Sequence, residues 1–459
     1  LAGAARWLHE RTHGRGIVHY EGDHAMEYVD IYSRMYPTLE EVAAVLDDTD
    51  LHAPVAVPSH ASAAVDDAAK ERIRSAPYIM CEYLHAMGTG PGGVAAYVQQ
   101  MSHPRHAGGF VWEWRDHALW RTLPDGRRAL AYGGDFGEDV HDGNFVCDGL
   151  VDALSRPYAG TWAWIRALAP NAPILQGRLQ KSGGEAEERL RALACSASSR
   201  LSCDEAKCSA VFDDRGRVES VGGLPIVAEI SVYRAPTDND RGRGPVDYWG
   251  ISNDDLGPLG TGTGQWGVSH AQRWEMARLH LLRRTWHGSA RENGTRVLVE
   301  RWAPPAAQFG LEARWSFTPV DGKAGGATAG ASLPGNCLAV KVDMTPYGHW
   351  PERIPRAGVR LCIPGTGWTA SWVGETDIAY ADMPGVNPDG FGCAELEDLW
   401  DVGVKPQEGG HRPGLKVLEL RGEDCAFTII PRSEVGWSVS PWSEQELAQA
   451  GHWEDLPHS

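Results

Sequence analysis

What this chain of 459 residues lacks narrows its class before any motif is read. No apolar run approaches the roughly 20 residues that a membrane-crossing helix needs, so no helical span is expected. Base is in short supply: 43 Lys and Arg stand against 61 Asp and Glu, a net charge of -18. With no basic stripe to neutralise phosphates, a nucleic-acid partner is not expected, whereas a neutral ligand is compatible with the charge. There is no CxxC pair. The 9 cysteines are odd in number and scattered, which reads as free thiols in a reducing, cytoplasmic setting. Cys195, Cys203 and Cys208 lie close together but have no matching His or Cys cluster that would make a zinc site.

The opening residues lack the charged-then-apolar order of a signal peptide, and they lack an initiating Met and an N-cap. They read as a helix entered in its middle, with Ala5, Leu8 and His9 on one face, in a chain truncated at its start. No internal repeat is evident.

What is present divides the chain in three. Residues 1–169 alternate strand and helix signals. Strands are predicted at Gly16-Ile-Val-His-Tyr-Glu-Gly22, Tyr28-Val-Asp-Ile-Tyr32, the run ending at Glu82, and Gly108-Gly-Phe-Val-Trp-Glu-Trp114. Helices are predicted after Thr38, whose apolar face is Val42, Val45 and Leu46, from Pro91 through Gln100 with Pro at its first position, and from Tyr158 to Leu168. Repeated strand-helix units imply a parallel sheet with helices outside, and four such strands are half of an eight-stranded barrel.

Residues 170–204 are rich in Ser, Gly, Ala and charge; they read as a linker or remnant of a small domain, the least ordered part, with a short surface helix over 185–193. From 205 to 459 the pattern is β. Leu338, Val340, Val342 and Met344 alternate with polar or small residues, as in a strand with one wet face. Further strands are predicted at 296–300, 311–317 and 425–430. The fold class expected is multidomain α/β plus all-β: the second half of a (β/α)8 TIM barrel followed by a large antiparallel β-sandwich.

The most informative segment is Pro77-Tyr-Ile-Met-Cys-Glu82-Tyr-Leu-His85-Ala-Met-Gly88-Thr-Gly-Pro-Gly-Gly93. A strand delivers one carboxylate to its end, a histidine follows three residues later, and a Gly-rich turn opens a helical stretch. Carboxylates at strand C-termini build active sites in α/β barrels. The bland alternative is a solvated strand-end Glu. Glu21 and Glu113 are competing strand-end carboxylates; alternation should turn Glu113 away from the face that Trp112 occupies. His103 with His106, and His19 with His24, have no partner motif for a metal and read as solvated histidines.

Several motifs then match one family in order: the 77–93 segment, the 108–114 segment, Ala131-Tyr-Gly-Gly-Asp-Phe-Gly137, Phe145-Val-Cys-Asp-Gly149, Arg234-Ala-Pro-Thr-Asp-Asn-Asp240, Pro406-Gln-Glu-Gly-Gly-His-Arg412, and Met35-Tyr36 before the Thr38 helix. They resemble the large bacterial β-galactosidases of glycoside hydrolase family 2, over nearly the whole chain except 170–204. The resemblance implies a retaining glycosidase that releases terminal β-D-galactose from substrates such as lactose, using two carboxylates about 5 Å apart.

It implies Glu82 as nucleophile, Tyr36 as a hydrogen-bond donor that keeps Glu82 ionised, and His85, Met35 and Trp112 as galactose-binding residues. Phe145, through its carbonyl oxygen, and Asp148 would hold sodium or another monovalent cation; an Asn stands at the Asp148 position in well-studied members, so the charge of that site differs here. Magnesium is implied for the complete enzyme, but its ligands are missing from this chain.

The family's acid/base glutamate sits in a Gly-Asn-Glu-Ser-like motif, which does not occur here. Residue 1 aligns just after it, and the chain stops soon after Trp442-Ser-Glu-Gln-Glu-Leu-Ala448, before further C-terminal strands. The expectation is therefore an internal fragment, inactive alone, that belongs to a homo-oligomeric enzyme or to a complementary N-terminal fragment. Two alternatives stand beside it: a non-catalytic carbohydrate-binding sandwich with a vestigial half barrel, and a β-glucuronidase or β-mannosidase relative.

Overall fold

The computed structural model describes residues 1–47, 66–171, 184–196, 209–241, 269–320, 337–350, 353–380, 383, 387–400 and 403–457. The N-terminal part opens with helix α1 (Ala2–Thr12), whose single buried residue is Ala5; Leu8, expected on the same face, is exposed. Strand β1 (Tyr32–Met35) follows, then α2 (Leu39–Asp47), α3 (Asp67–Ser75) and β2 (Tyr78–Tyr83). Next come α4 (Val94–Gln100), β3 (His106–Val111), the hairpin of β4 (Leu119–Thr122) with β5 (Arg128–Ala131), and α5 (Ala159–Leu168).

Strands β1, β2 and β3 form one parallel sheet in that order. Tyr32, Tyr78, Met80 and Tyr83 point from it into a core closed by Val42, Val45 and Leu46 of α2, Ile73 of α3, Val94 of α4 and Ala163 of α5. The predicted apolar face of α2 is thus the buried one. Its start is a capping box: the Glu41 N–H donates to Thr38 Oγ1 at 3.2 Å, and the Thr38 N–H donates to Glu41 Oε2 at 2.6 Å. On the opposite face Phe110 of β3 is 65% exposed, whereas Ser33 of β1 is buried.

Two predicted elements differ. Residues 16–22 form no strand: their backbone meets no ladder, and the Val18 N–H instead donates to the Asp30 carboxylate at 2.7 Å while its carbonyl accepts from Asp30 N–H at 2.9 Å. Among the described residues the parallel sheet therefore has three strands where four were expected, and the second begins at Tyr32, not Tyr28. Helix α4 begins at Val94, not Pro91: Gly93 takes φ +67 as the N-cap, which is incompatible with continuing a helix backwards.

Helix α6 (Gly184–Ser196) lies within the stretch read as linker, and it is docked: Leu190 and Leu193 are buried against Val373, Phe391 and Val417. The expected surface helix is thus present, with most of its other side chains at least partly exposed and this one apolar pair covered by a distant sheet. Residues 172–183 and 197–208 of that stretch lie outside the described residues.

The remainder is antiparallel β. After β6 (Ala210–Phe212), β7 (Val218–Val221), β8 (Leu224–Pro225) and β9 (Val227–Ser231), a four-stranded meander runs through β10 (Arg283–Glu292), β11 (Thr295–Ala303), β12 (Gly310–Val320) and β13 (Cys337–Tyr347). Leu298, Trp302, Leu311, Trp315 and Phe317 on its inner face pack on Val218, Ile230 and Val232. Leu338, Val342 and Met344 join this core as the alternation predicts, but Val340 is exposed.

Strand β14 (Gly358–Cys362) pairs with β9. The last sheet has the order β16 (Asp389–Glu395), β15 (Thr369–Glu375), β17 (Val417–Arg421), β18 (Ala426–Ile429), with Trp368, Trp372, Leu418 and Trp437 in its core. No helix among the described residues is long and apolar enough to cross a membrane.

Candidate active site

Strand β2 ends one residue after Glu82, so the carboxylate stands at the C-terminal edge of the parallel sheet. Met35, at the end of β1, is its register partner, and the next backbone N–H, from Tyr36, donates to the Glu82 carbonyl at 2.8 Å. The Tyr36 phenol also hydrogen-bonds the Glu82 carboxylate. Tyr36 (φ +48) and Leu84 (φ +55) occupy left-handed backbone on either side of this contact, conformations that cost L-residues energy and collect at functional sites.

The rest of the pocket assembles from three turns. The His85 ring lies 5.7 Å from that of Tyr36 and 5.5 Å from that of Phe145, centroid to centroid. Its Nε2 is 3.5 Å from Asp148 Oδ2, and Trp112 Nε1–H donates to the same oxygen at 2.9 Å. The backbone ties these turns: the Ala86 N–H donates to the Trp112 carbonyl at 2.8 Å, and Trp112 N–H to the Tyr83 carbonyl at 3.0 Å. Met35, Tyr36, Glu82, His85, Trp112, Phe145 and Asp148, separated by more than a hundred positions in the chain, therefore lie in one place.

Electrostatics distinguish the groups. Burial raises the Glu82 pKa above the usual carboxylate value. The Tyr36 hydrogen bond opposes that shift, and the negative charge of Glu21 adds to it. A donor was expected to hold Glu82 low; desolvation outweighs it. Asp148 is pushed up to about 6, first by burial and then by a hydrogen bond to Glu113 that favours its protonated form, while His85 and Trp112 pull it down. Burial also drives His85 toward neutral imidazole, against the pull of Asp148.

Sequence reasoning misplaced two residues here, Glu113 and His106. Glu113 was expected to face away from Trp112, yet both reach the Asp148 side chain. Alternation does not apply because β3 ends at Val111, before either residue. Glu113 also lies 3.3 Å from His117. Glu21 is close enough to Glu82 to raise its pKa, and Arg34 lies 3.7 Å from it. His106, read as solvated, is buried edge-on to Tyr78 at 5.2 Å, whereas His19 is exposed with its ring on the Ser33 hydroxyl at 2.6 Å. Trp112, past the strand, is 39% exposed, available as a pocket wall rather than a core residue.

For a hard cation the donor chemistry fits at one point. Asp148 Oδ1 is buried with no hydrogen-bond partner, next to the one-turn helix Gly143–Val146 that carries the Phe145 carbonyl. Among the described residues no group of three or more His, Cys, Asp or Glu side chains could hold a metal ion. Behind the pocket a cavity of about 40 Å³ is lined by Asp116, Cys147, Tyr158, Asp238, Lys405 and Glu408. Asp116 accepts from the Gly149 N–H at 2.8 Å and from the Tyr158 hydroxyl at 2.6 Å, which pins the turn after Asp148. Gly149 has no alternative there: a Cβ would lie 2.3 Å from the Asp116 backbone nitrogen.

With the architecture and site in view, comparison with known proteins places the molecule. Residues 5–164 match the glycosyl hydrolases family 2 TIM barrel domain, which puts this part among the glycosidases. Residues 204–459, more than half of the chain, match the beta galactosidase small chain. The chain belongs to the β-galactosidase family of family 2 glycosyl hydrolases.

It is 28% identical to a beta-galactosidase of Arthrobacter sp. over 567 aligned residues, which take in 100% of this chain and 52% of that protein. Shorter matches have higher identity: 41% over 154 residues to a beta-galactosidase of Staphylococcus xylosus, 31% of this chain and 13% of that one, and 50% over 78 residues to one of Priestia megaterium, 17% and 8%. The chain thus spans about half the length of the Arthrobacter relative and a smaller part of the others.

Proposed function

We propose that this chain supplies the nucleophile side of a retaining β-galactosidase site. In the first step Glu82 attacks the anomeric carbon of a terminal β-galactoside, the bond from that carbon to the aglycone oxygen breaks, and a galactosyl ester forms on Glu82; water then releases galactose. The observation that carries this reading is the Tyr36 phenol on the Glu82 carboxylate at the sheet's C-terminal edge, with His85 and Trp112 gathered beside it. Tyr36 favours the ionised nucleophile; His85 and Met35 meet the sugar hydroxyls and its edge, and the Trp112 ring backs its apolar face. A sodium or other monovalent ion on Asp148 Oδ1 and the Phe145 carbonyl supports the orphaned carboxylate oxygen.

In this reading the three-stranded parallel sheet belongs to the second half of a (β/α)8 barrel and the antiparallel sheets form the family's large sandwich. Lactose and related β-galactosides are the substrates, in a cytoplasmic, oligomeric enzyme or a complex with a complementary fragment. Its second carboxylate, the acid that protonates the leaving oxygen, is not in a Gly-Asn-Glu motif of these 459 residues. Its absence costs roughly 100- to 10,000-fold on unactivated substrates.

The test uses a 2-deoxy-2-fluoro-β-galactoside with a dinitrophenolate leaving group, which departs without acid help and leaves the slowly hydrolysed ester in place. The expected result is a single covalent galactosyl adduct on the peptide that contains Glu82, absent in Glu82→Gln. An adduct on another carboxylate, or one that persists in Glu82→Gln, overturns the assignment. Turnover of an unactivated aryl β-galactoside by the chain alone, abolished by Glu82→Gln, would show that another group acts as the acid.

A further inference from the structure

The two loops that present His85 and Phe145 are gripped from the β-rich half of the molecule, by neighbouring residues of one short turn. Asn239, in the helical turn Asp238–Arg241, meets the loop that follows His85. Its Oδ1 accepts from the Thr89 N–H at 2.9 Å and from the Thr89 hydroxyl at 3.2 Å, while its Nδ2 donates to the Met87 carbonyl at 3.1 Å. Gly88, between them, has φ +66, and a Cβ there would come within 2.3 Å of Asn239 Oδ1, so the loop and the amide are shaped to each other.

Asp238 meets the other loop. Its Oδ1 accepts from Asn144 Nδ2 at 2.9 Å, and Lys405 completes a triangle, donating to Asn144 Oδ1 at 3.1 Å with its ammonium 3.6 Å from Asp238. Gln407 fixes Asp238 itself: its Nε2 donates to Asp238 Oδ2 at 2.9 Å and its Oε1 accepts from the Asp238 N–H at 2.8 Å. Asn144 directly precedes Phe145 in the turn Gly143–Val146.

We propose that Asn239 and Asp238 are positioning residues of the galactoside site, the first setting the His85 loop and the second setting the Phe145 turn. The inference rests on the reading of His85 and Phe145 as sugar-site groups. Each loop has a surface of competing conformations, and the hydrogen bonds from the β-rich half select one of them. When they are lost, the fraction of molecules with both loops in place falls, and apparent sugar affinity falls by the same factor. Bond formation at Glu82 is not expected to change, because Glu82 sits on β2 under Tyr36, outside both loops.

Amide hydrogen exchange on the full chain reads the loops without requiring activity. Asn239→Ala is expected to speed exchange in residues 86–90 by roughly threefold to tenfold, the worth of a hydrogen bond or two, and to leave 143–147 unchanged. Asp238→Ala is expected to do the reverse, with Asp238→Asn falling between wild type and Asp238→Ala, because its carbonyl still accepts from Asn144 while its amide nitrogen faces the Gln407 Nε2 donor and leaves Lys405 without a counter-charge. Loops that exchange at wild-type rates in both alanine variants, or uniform loosening of the whole chain, overturn the proposal.

The fluorogalactoside supplies the second readout: the half-saturating concentration for labelling should rise in each alanine variant by the factor by which the fraction of molecules with the loop in place falls, with the limiting labelling rate within about twofold of wild type. An unchanged half-saturating concentration overturns the link to the sugar. A wild-type chain that takes no label refutes the role of Glu82 instead, and the exchange pattern then decides the clamp by itself.

Discussion

Asp116 offers the sharpest quantitative test of the electrostatics behind the site. Its side chain is almost fully buried, and burial pushes its pKa from 3.8 up to about 6, opposed by its bonds from Tyr158 and Gly149. A carboxyl whose folded pKa is raised contributes most to stability when protonated. That contribution is complete below the unfolded value and is lost as pH rises from about 4 through about 6. Two pKa units correspond to about 3 kcal/mol, the full loss at neutral pH.

Asp116→Asn removes the ionisation while retaining the shape. The amide carbonyl still accepts from Gly149 N–H, and the amide nitrogen can donate to the Tyr158 oxygen, which simply reverses that bond. Urea unfolding of both proteins between about pH 5 and about pH 7.5 should show the variant gaining about 1.4 kcal/mol on wild type across the window, the portion of the linkage integral that falls there. Parallel stability curves would refute the reasoning and show Asp116 to be solvated in solution. An advantage for the variant that shrinks as pH rises would reverse the sign and refute it more strongly.

Tyr36→Phe removes the donor that opposes the raised pKa of Glu82, so the acid limb of the pH profile for fluorogalactoside labelling should move up by about one unit, the worth of a hydrogen bond to a charged group; an unmoved limb would place the phenol elsewhere. Leu190→Ala should destabilise the chain by roughly 2–5 kcal/mol, because the side chain is fully buried between α6 and the β15–β17 sheet. A loss near zero would mean that α6 is undocked in solution. Met80→Ala should cost a similar roughly 2–5 kcal/mol, and Phe110→Ala much less, since the first faces the helices and the second solvent; equal losses would show Phe110 to be covered.

Local patterns were legible wherever the determining neighbours are a few positions away. The Thr38 capping box and the Val42, Val45, Leu46 face need only helical spacing, and both appear in the structure. The strand that ends near Glu82 and the meander strands around 296–300 and 311–317 follow from the two-residue period of a pleated strand in the same way. The motif order also sufficed to place the chain in its family.

Tertiary structure alone decided which groups meet. Alternation failed for Glu113 because the strand had already ended, and residues 16–22 did not become a strand because a strand exists only when a neighbour accepts its ladder. Nothing in the composition of 184–196 shows that Leu190 and Leu193 find a sheet more than 170 residues later in the chain. Likewise, Asp238 and Asn239 were legible as part of a motif, but their partners Asn144, Met87 and Thr89 were not, since a hydrogen bond between distant segments is selected by the packing that brings them together. The amino-acid sequence by itself determined the family, the strand-end carboxylate and most local elements, because those are written in short-range spacing. The surroundings of that carboxylate, from the Glu21 charge to the grip on its neighbouring loops, came only with the fold, because they are long-range contacts.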